Sequence, residues 1–127
     1  MKPMKPFVLI DDDEIFNFLH QAVIRQVAAD TPVQVFQSSK AALDAIHAEP
    51  YNDRIFLIDI RMPEINGFEL LDAFQQCPAD HFKNSQIYFV TSSLDERDRE
   101  KGLSYPLVTG YLEKPISMDK IKEISGG

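Results

Sequence analysis

Carboxylate side chains follow two short apolar runs of this chain. Residues 11–13 are three aspartates that come directly after the run Phe7–Ile10, and Asp59 follows the run 55–58. Two carboxylates about 4 Å apart repel each other by roughly 4 kcal/mol at an effective dielectric of 20. A cluster of this kind needs a cation, a proton or a nearby lysine, and Lys114 follows the last apolar run. These residue types predict a site that holds a divalent metal and a phosphoryl group.

Asp59 is the candidate nucleophile, because a carboxylate can attack phosphorus and form an acyl phosphate. Phosphoryl transfer needs in-line positioning and cations that neutralise charge on the phosphoryl oxygens. Mg²⁺ suits this task, since it binds one or two carboxylates together with phosphate oxygens and waters, and Asp11 and Asp12 can hold it. Lys114 can pair with one phosphoryl oxygen, and the Thr91 hydroxyl can donate to another. We therefore expect one centre for phosphoryl transfer.

Strand patterns alternate with helix patterns from one end of the chain to the other. The apolar runs are short and continuous, which is typical of strands buried on both faces. The alternation predicts an α/β fold, a doubly wound parallel sheet with helices on both faces. The carboxyl ends of parallel strands meet at one edge of such a sheet, where ligands bind. The five predicted strands are residues 7–10, 33–36, 55–58, 87–90 and 108–112.

The predicted helices differ in how clearly the sequence marks them. Asp13 is the expected N-cap of the first helix, and Ser38 or Ser39 that of the second. Residues 95–101 are all charged, so we expect a short, mobile or displaced fourth helix within the segment 94–106. The histidines show no metal-ligand spacing and are expected at the surface: His20, His47 and His81. The first helix is expected to turn its apolar residues toward the core, namely Ile15, Phe18, Leu19, Ala22, Val23 and Val27.

The bulk composition fits one domain of ordinary size. The chain has 127 residues, of which 44% are hydrophobic, so we expect a single domain over residues 1–127. The net charge of −7 disfavours nucleic-acid binding, which needs a basic patch. The one cysteine, Cys77, excludes an internal disulfide and is usual for a cytoplasmic protein. The N-terminal residues predict neither a signal peptide nor a membrane span.

Four motifs in a fixed order give the chain a more specific resemblance. Each motif ends an apolar run or lies directly after one, and together they extend over about residues 6 to 124. In combination they resemble the response regulator receiver domain of two-component signalling. The motifs are Ile10-Asp11-Asp12-Asp13, Asp59 with Met62-Pro63 and Asn66-Gly67, Val90-Thr91-Ser92, and Gly110-Tyr111 with Lys114-Pro115.

The resemblance implies a role for the acidic residues and a fold. Asp59 would be the phosphoacceptor. Asp11 and Asp12 would hold Mg²⁺ together with Asp59 and the backbone carbonyl of Arg61, with Mn²⁺ or Ca²⁺ as possible substitutes. The fold would be the flavodoxin-like receiver fold, with five parallel strands in the order 2-1-3-4-5.

The resemblance also implies three roles near the last two strands. Thr91 would be the switch hydroxyl and Tyr111 the switch aromatic. Lys114 would contact the phosphoryl group and form a cis peptide bond with Pro115. Phosphorylation adds charge and acceptor oxygens, so Thr91 would move toward Asp59 and Tyr111 would fill the space that Thr91 leaves.

The implied function is that of a signalling phosphoacceptor rather than an enzyme, although it would assist its own phosphorylation and dephosphorylation. The phosphodonor would be a sensor histidine kinase or a phosphotransfer protein. We expect a stand-alone receiver without an output domain, acting in the cytoplasm on a downstream protein. Nucleic acid and membrane are not expected partners. The expected assembly is a monomer or a weak, phosphorylation-dependent dimer.

Some residues depart from the family pattern. Arg61 is bulky and cationic two residues after the phosphoacceptor, where it could shield the acyl phosphate or steer the donor. Ser93 lies two residues after the switch threonine and could act similarly. Leu107-Val108, preceded by Pro106, stands where the family often has a small Gly-Ala pair. The fourth-helix face is therefore the part to which the family pattern transfers least.

Two other function classes also fit part of the sequence. A phosphohydrolase of the haloacid dehalogenase type uses a strand-end Asp-x-Asp, which Asp11 and Asp13 match superficially. In that interpretation Asp11 is the nucleophile, and replacing Asp59 leaves phosphorylation intact. A binding module that keeps the fold without accepting phosphate is the other alternative, and the intact acidic, threonine and lysine positions argue against it.

Overall fold

The computed structural model describes residues 4–92 and 95–126. Residue Ser93, which the sequence marked as a departure near the switch threonine, lies outside the described residues. The strands are β1 (Phe7–Ile10), β2 (Val33–Phe36), β3 (Ile55–Asp59), β4 (Gln86–Thr91) and β5 (Gly110–Glu113). The helices are α1 (Glu14–Val27), α2 (Ser39–Ala48), α3 (Gly67–Phe74), α4 (Glu96–Leu103) and α5 (Met118–Ile124), with a 3₁₀ helix at Ala79–Phe82.

The five strands form one parallel sheet in the order β2-β1-β3-β4-β5. This arrangement confirms the predicted fold class, with β1 and β3 at the centre of the strand order and every residue of both strands buried. Strand β5 begins at Gly110, whereas the predicted strand begins at residue 108. The amide of Val108 bonds to the Tyr105 carbonyl in a turn, and the amide of Thr109 is the first to reach β4, at Ile87 O.

The core has one cluster on each face of the sheet. On one face, Phe56 and Phe89 pack with Phe74 of α3 and with buried residues of α2. On the other face, Leu57 packs with Ile24 of α1 and with buried residues of α5. Burying a side chain such as Phe56 stabilises the fold by roughly 1.5–3 kcal/mol. Both faces therefore hold the strand ends in fixed relative positions.

The N-terminal half of α1 faces the core with different residues from those predicted. Ile15 and Phe18 are each 71% exposed, whereas Asn17, His20 and Ile24 are buried. Two overlapping stripes at helical spacing exist in this helix, and the stripe with polar members is the one turned inward. Val23 and Val27, at the C-terminal end of the predicted stripe, do pack against the core as expected.

Two polar groups of the inward stripe have partners inside the protein, whereas the buried Oδ1 of Asn17 has none within the described residues. Asn17 Nδ2 donates to the carbonyl oxygen of Asp11 at 2.8 Å. The Ile116 amide donates to His20 Nε2 at 3.3 Å, so the prediction of a surface His20 is wrong. A buried polar side chain is tolerated when its hydrogen bonds are made inside the protein. Of the other two histidines, His47 is exposed and His81 is half-buried.

The fourth helix is short, as its composition predicted. Helix α4 has eight residues and is capped by Asp95, whose side chain accepts a hydrogen bond from the Arg97 amide. Its buried residue is Gly102, which packs close to the Phe89 ring. A helix that buries so little apolar surface depends on few contacts for its position. None of the helices within the described residues is long and apolar enough to cross a membrane.

Candidate functional site

The acidic cluster lies at the carboxyl edge of the two central strands. Strands β1 and β3 pair in parallel with Ile10 opposite Ile58, so Asp11 and Asp59 emerge side by side. Both are buried, with 5% and 7% of their surface exposed, whereas Asp12 is exposed. Each of the three aspartates can offer a carboxylate oxygen within 4.8 Å of the others. Hard oxygen donors at this spacing fit Mg²⁺, so the donor set agrees with the predicted metal.

Lys114 reaches into the same cluster from the loop after β5. Its Nζ lies 2.7 Å from Asp11 Oδ2 and 3.3 Å from Asp59 Oδ1, and the side chain is 6% exposed. The Lys114 amide donates to the Thr91 carbonyl at 2.8 Å, which fixes the loop against β4. The Lys114–Pro115 peptide bond is cis, as the resemblance implied.

The electrostatics of the cluster show that one lysine does not balance its acids. Burial, together with the charge of Asp11, raises the pKa of Asp59 to about 6, although Lys114 opposes the rise. Burial also raises the pKa of Asp11 against the hydrogen bond from Lys114. Burial acts to lower the pKa of Lys114, but the two carboxylates outweigh it and raise that pKa overall. A further cation would therefore favour the ionised form of both buried acids.

The two predicted switch residues are in contact. Thr91 ends β4 and is 3% exposed, and Tyr111 lies half-buried on the neighbouring strand β5. Burial raises the pKa of the Tyr111 phenol, and a side-chain hydrogen bond with Thr91 partly offsets the rise. A hydroxyl close to the phosphoacceptor edge is thus connected to an aromatic ring under α4.

Arg61 makes a contact that the sequence did not indicate. Its guanidinium pairs with the carboxylate of Asp98 on α4, with side-chain exposures of 66% and 18%. The partners are 37 residues apart, and both belong to segments rich in other charges, so no local pattern marks the pair. The proposed role of the Arg61 carbonyl as a metal ligand stays a prediction.

Asn66 and Gly67 do more than form a turn. Asn66 caps α3 in a reciprocal capping box with Glu69, which satisfies two free amides of the first turn. A Cβ on Gly67 would lie 2.8 Å from the carbonyl oxygen of Asp59 and 2.9 Å from Ile60 Cα. The absent side chain lets α3 start directly against the end of the strand that carries Asp59.

Two aromatic residues lie beside Lys114 that the sequence motifs did not indicate. Lys114 Nζ lies 4.3 Å from the centre of the Phe16 ring, and that ring packs on His20 with centroids 5.8 Å apart. Phe16 and His20 are four residues apart on α1, directly after the acidic run. This spacing is the signal that could have identified them, but the more apolar stripe beside it obscured it.

Comparisons with known proteins agree with this geometry. The family model for the response regulator receiver domain matches residues 7–125. A two-component response regulator from Cytophaga hutchinsonii is 34% identical, over 97% of this chain and 95% of that chain, with a TM-score of 0.86. A response regulator receiver protein from Dyadobacter fermentans DSM 18053 is 24% identical, over 94% and 93%, and matches the fold with a TM-score of 0.84.

The curated relatives are longer proteins. The chain is 27% identical over 117 residues to a probable cyclic di-GMP phosphodiesterase from Vibrio cholerae, covering 91% of this chain and 24% of that protein. It spans half or less of the length of the first curated relatives that it matches. Because the family model extends over nearly all of the sheet, its helices and the acidic edge, the chain belongs to the response regulator receiver domain family of two-component signalling.

Proposed function

We propose that Asp59 accepts a phosphoryl group from a histidine kinase or a phosphotransfer protein in a Mg²⁺-dependent reaction, and that the phosphorylated chain signals through a protein partner. The observation that carries the proposal is the position of Asp59, a buried carboxylate 3.3 Å from a lysine ammonium and beside two further acids. General receiver chemistry follows from the family, whereas the donor, the metal and the output are part of the proposal.

The nucleophile in this reaction is a carboxylate oxygen of Asp59. The oxygen forms a bond to phosphorus while the bond from phosphorus to the donor nitrogen breaks, which gives an acyl phosphate. With a pKa of about 6, Asp59 is ionised in roughly nine of ten molecules at pH 7, so no separate base is needed. Lys114 is already close enough to pair with an incoming phosphoryl oxygen.

Asp11, Asp12, Asp59 and the carbonyl of Arg61 are the proposed metal ligands. Bound Mg²⁺, or Mn²⁺ or Ca²⁺ in its place, would neutralise charge on the phosphoryl oxygens. Asp11 is held for this role by two contacts of its own. Its Oδ1 accepts from the Asp13 amide at 2.9 Å, and its backbone carbonyl accepts from Asn17.

The proposed output depends on Thr91 and Tyr111. A phosphoryl group on Asp59 adds acceptor oxygens at the end of β3, and the Thr91 hydroxyl is the nearest donor on β4 in the proposal. Movement of the Thr91 hydroxyl toward the phosphate would draw it away from the Tyr111 phenol, which would change the packing of the ring. The face formed by β5 and α4 would then present a different surface to a downstream protein.

The test is intact mass spectrometry after incubation with acetyl phosphate and Mg²⁺. Wild type, Asp59→Asn and the control Asp44→Asn, an exposed acid on α2, are treated side by side. We expect one phosphoryl adduct on wild type and on the control, none on Asp59→Asn and none after chelation of the metal.

Other results would favour the alternatives. An adduct that persists in Asp59→Asn would make Asp11 the nucleophile, as in the phosphohydrolase interpretation. No adduct with any donor, including a panel of histidine kinases, would favour a binding module that does not accept phosphate.

Two further expectations are part of the proposal, a cytoplasmic location and a weak dimer that forms on phosphorylation. Size-exclusion chromatography of labelled and unlabelled protein tests the last of these. If the labelled protein elutes at the same monomer volume as the unlabelled protein, the receiver is monomeric in both states.

A further inference from the structure

The ammonium of Lys114 has an aromatic partner in addition to its two carboxylates. Nζ lies over the ring of Phe16, 4.3 Å from the ring centre, a distance at which the ring attracts a cation. Phe16 is half-buried in the first turn of α1, where its amide donates to the capping carboxylate of Asp13 at 3.2 Å. The helix cap that follows the acidic run thus sets the position of the ring.

The same face of α1 also holds the backbone after Lys114. His20, packed on Phe16, accepts the Ile116 amide through Nε2, and Ile116 is the second residue after Lys114. Burial and the charge of Lys114 lower the pKa of His20 to about 4, so the imidazole is neutral at pH 7 and adds no second cation. Phe16 and His20 together fix both the side chain and the loop of the lysine.

We propose that Phe16 is a positioning residue for Lys114 in phosphoryl transfer to Asp59, an inference that rests on the proposed function. The ammonium lies closer to Asp11 than to Asp59, but Asp11 is also a proposed metal ligand. When its oxygens bind a cation, their attraction for Lys114 falls. The Phe16 ring is uncharged, so it neither competes for the metal nor repels a phosphoryl group.

The ring therefore supplies the contact that stays when the carboxylates change partners. The ring contacts the ammonium from α1, whereas Asp59, which would carry the phosphoryl group, contacts it from the end of β3. A lysine with 6% of its side chain exposed and one face on a ring has fewer orientations to lose on binding phosphate. Removing the ring should slow the step that needs Lys114 to be aligned.

The experiment compares Phe16→Leu, Phe16→Tyr and the matched control Phe18→Leu, an exposed position on the same helix. Two quantities are measured, the rate of labelling by acetyl phosphate with Mg²⁺ and the proton shifts of the Lys114 ε-methylene in metal-free protein. Protons above an aromatic ring resonate upfield, and the Lys114→Arg variant assigns the signal by its loss. Thermal unfolding of each variant accompanies both measurements.

We expect Phe16→Leu to label about three- to thirtyfold more slowly, which corresponds to the range of cation–π interactions. Its ε-methylene signal should move to the position of the exposed lysines. Phe16→Tyr should restore both quantities, and Phe18→Leu should change neither. The rescue by tyrosine separates the effect of the ring from a general loss of packing.

Three results would overturn the inference. If Phe16→Leu labels at the wild-type rate, the ring is not needed for transfer. If Phe16→Leu labels slowly while its Lys114 ε-methylene signal stays at the wild-type position, the ring does not act through the lysine. If the Lys114 ε-methylene signal of wild type is not shifted upfield, the contact between the ammonium and the Phe16 ring is itself excluded. If wild type is never labelled, the proposed function is refuted, and with it the role of Phe16 in phosphoryl transfer. The Lys114 signal still shows in that case whether Phe16 contacts the lysine.

Discussion

Arg61 and Asp98 form an ion pair that joins the loop after Asp59 to α4. Arg61 is two residues beyond Asp59, and Asp98 belongs to the helix with the least apolar surface to bury. Both charges also act on Tyr111, because burial raises the pKa of its phenol, Asp98 raises it further and Arg61 lowers it. The ion pair thus connects the loop after Asp59 to α4 without involving Thr91.

We predict that this connection is weak. Arg61 is 66% exposed, and exposed ion pairs contribute about 0.2–1 kcal/mol. A double-mutant cycle with Arg61→Met and Asp98→Asn, measured by urea unfolding, should give a coupling in that range. At 1 M salt, where the screening length is about 3 Å, the coupling should shrink further. A coupling above roughly 2 kcal/mol that is insensitive to salt would contradict this description and make the pair a fixed strut.

Two buried groups, Asp59 and His20, should make opposite contributions to the pH dependence of stability, and Asp11, whose pKa burial also raises, should add to that of Asp59. The pKa of Asp59 is raised from 3.8 to about 6, so folding favours its protonated form and its contribution falls as pH rises across that range. The pKa of His20 is lowered from 6.5 to about 4, so its contribution falls as pH decreases across nearly the same range. Each pKa unit corresponds to about 1.4 kcal/mol, so each contribution is on the order of 3 kcal/mol.

Single variants should separate the two contributions. In metal-free Asp59→Asn, the free energy of unfolding should rise between pH 4.5 and 6.5, because the contribution of Asp59 that opposes His20 is removed. In His20→Gln it should fall, with the glutamine oxygen taking over the hydrogen bond from Ile116. Urea unfolding at several pH values measures both, with Asp44→Asn as the control that keeps the wild-type profile. Parallel profiles for all variants would show that neither buried group governs the dependence.

Magnesium should stabilise the fold through the three aspartates. A ligand at ten times its dissociation constant raises the free energy of unfolding by roughly 1.4 kcal/mol. The increase should be larger at pH 7.5 than at pH 5, because Asp59, with a pKa of about 6, must lose its proton before it can bind the metal. Thermal unfolding with and without Mg²⁺ measures the increase.

The matched variants for this test are Asp12→Asn and Asp44→Asn, both at exposed acidic positions. Asp12→Asn should lose most of the increase, whereas Asp44→Asn should retain it. An equal increase in both would mean that Mg²⁺ acts by screening the net charge of −7 rather than at the site.

The sequence predicted the site better than it predicted the packing around it. Strand ends of a parallel sheet meet at one edge, so Asp11, Asp59 and Lys114 could be placed together from their positions after apolar runs. The inward face of α1 could not, because its polar residues are buried only through partners that the fold supplies. His20 needs the Ile116 amide, which is 96 residues away in the chain.

The position of α4 also depended on a relationship that the sequence does not show. Its charged residues correctly predicted a short helix, but nothing local indicates that Gly102 lies against a ring of β4. A Cβ on Gly102 would be 2.9 Å from Phe89 Cδ2 and 3.6 Å from Tyr111 Cδ2. The missing side chain is what allows α4 to approach the switch tyrosine.

Gly102→Ala should therefore destabilise the protein, although alanine is the better helix former. Helix propensity alone predicts a gain of about 1 kcal/mol from this change. Phe89 is fully buried and cannot move away, so the added methyl group overpacks the contact at a cost of roughly 1–3 kcal/mol. We expect a net loss of stability and an outward shift of α4 from Tyr111, measured by urea unfolding and by the ring signals of Tyr111.

Glu100→Ala is the matched control, because Glu100 is an exposed residue of the same helix. Its effect should stay within about 0.5 kcal/mol, as is usual for surface positions. If Gly102→Ala proved more stable than wild type by the amount that propensity predicts, α4 would have room to spare over Phe89. In that case the close approach of Gly102 to Phe89 would not determine the position of α4 next to Tyr111.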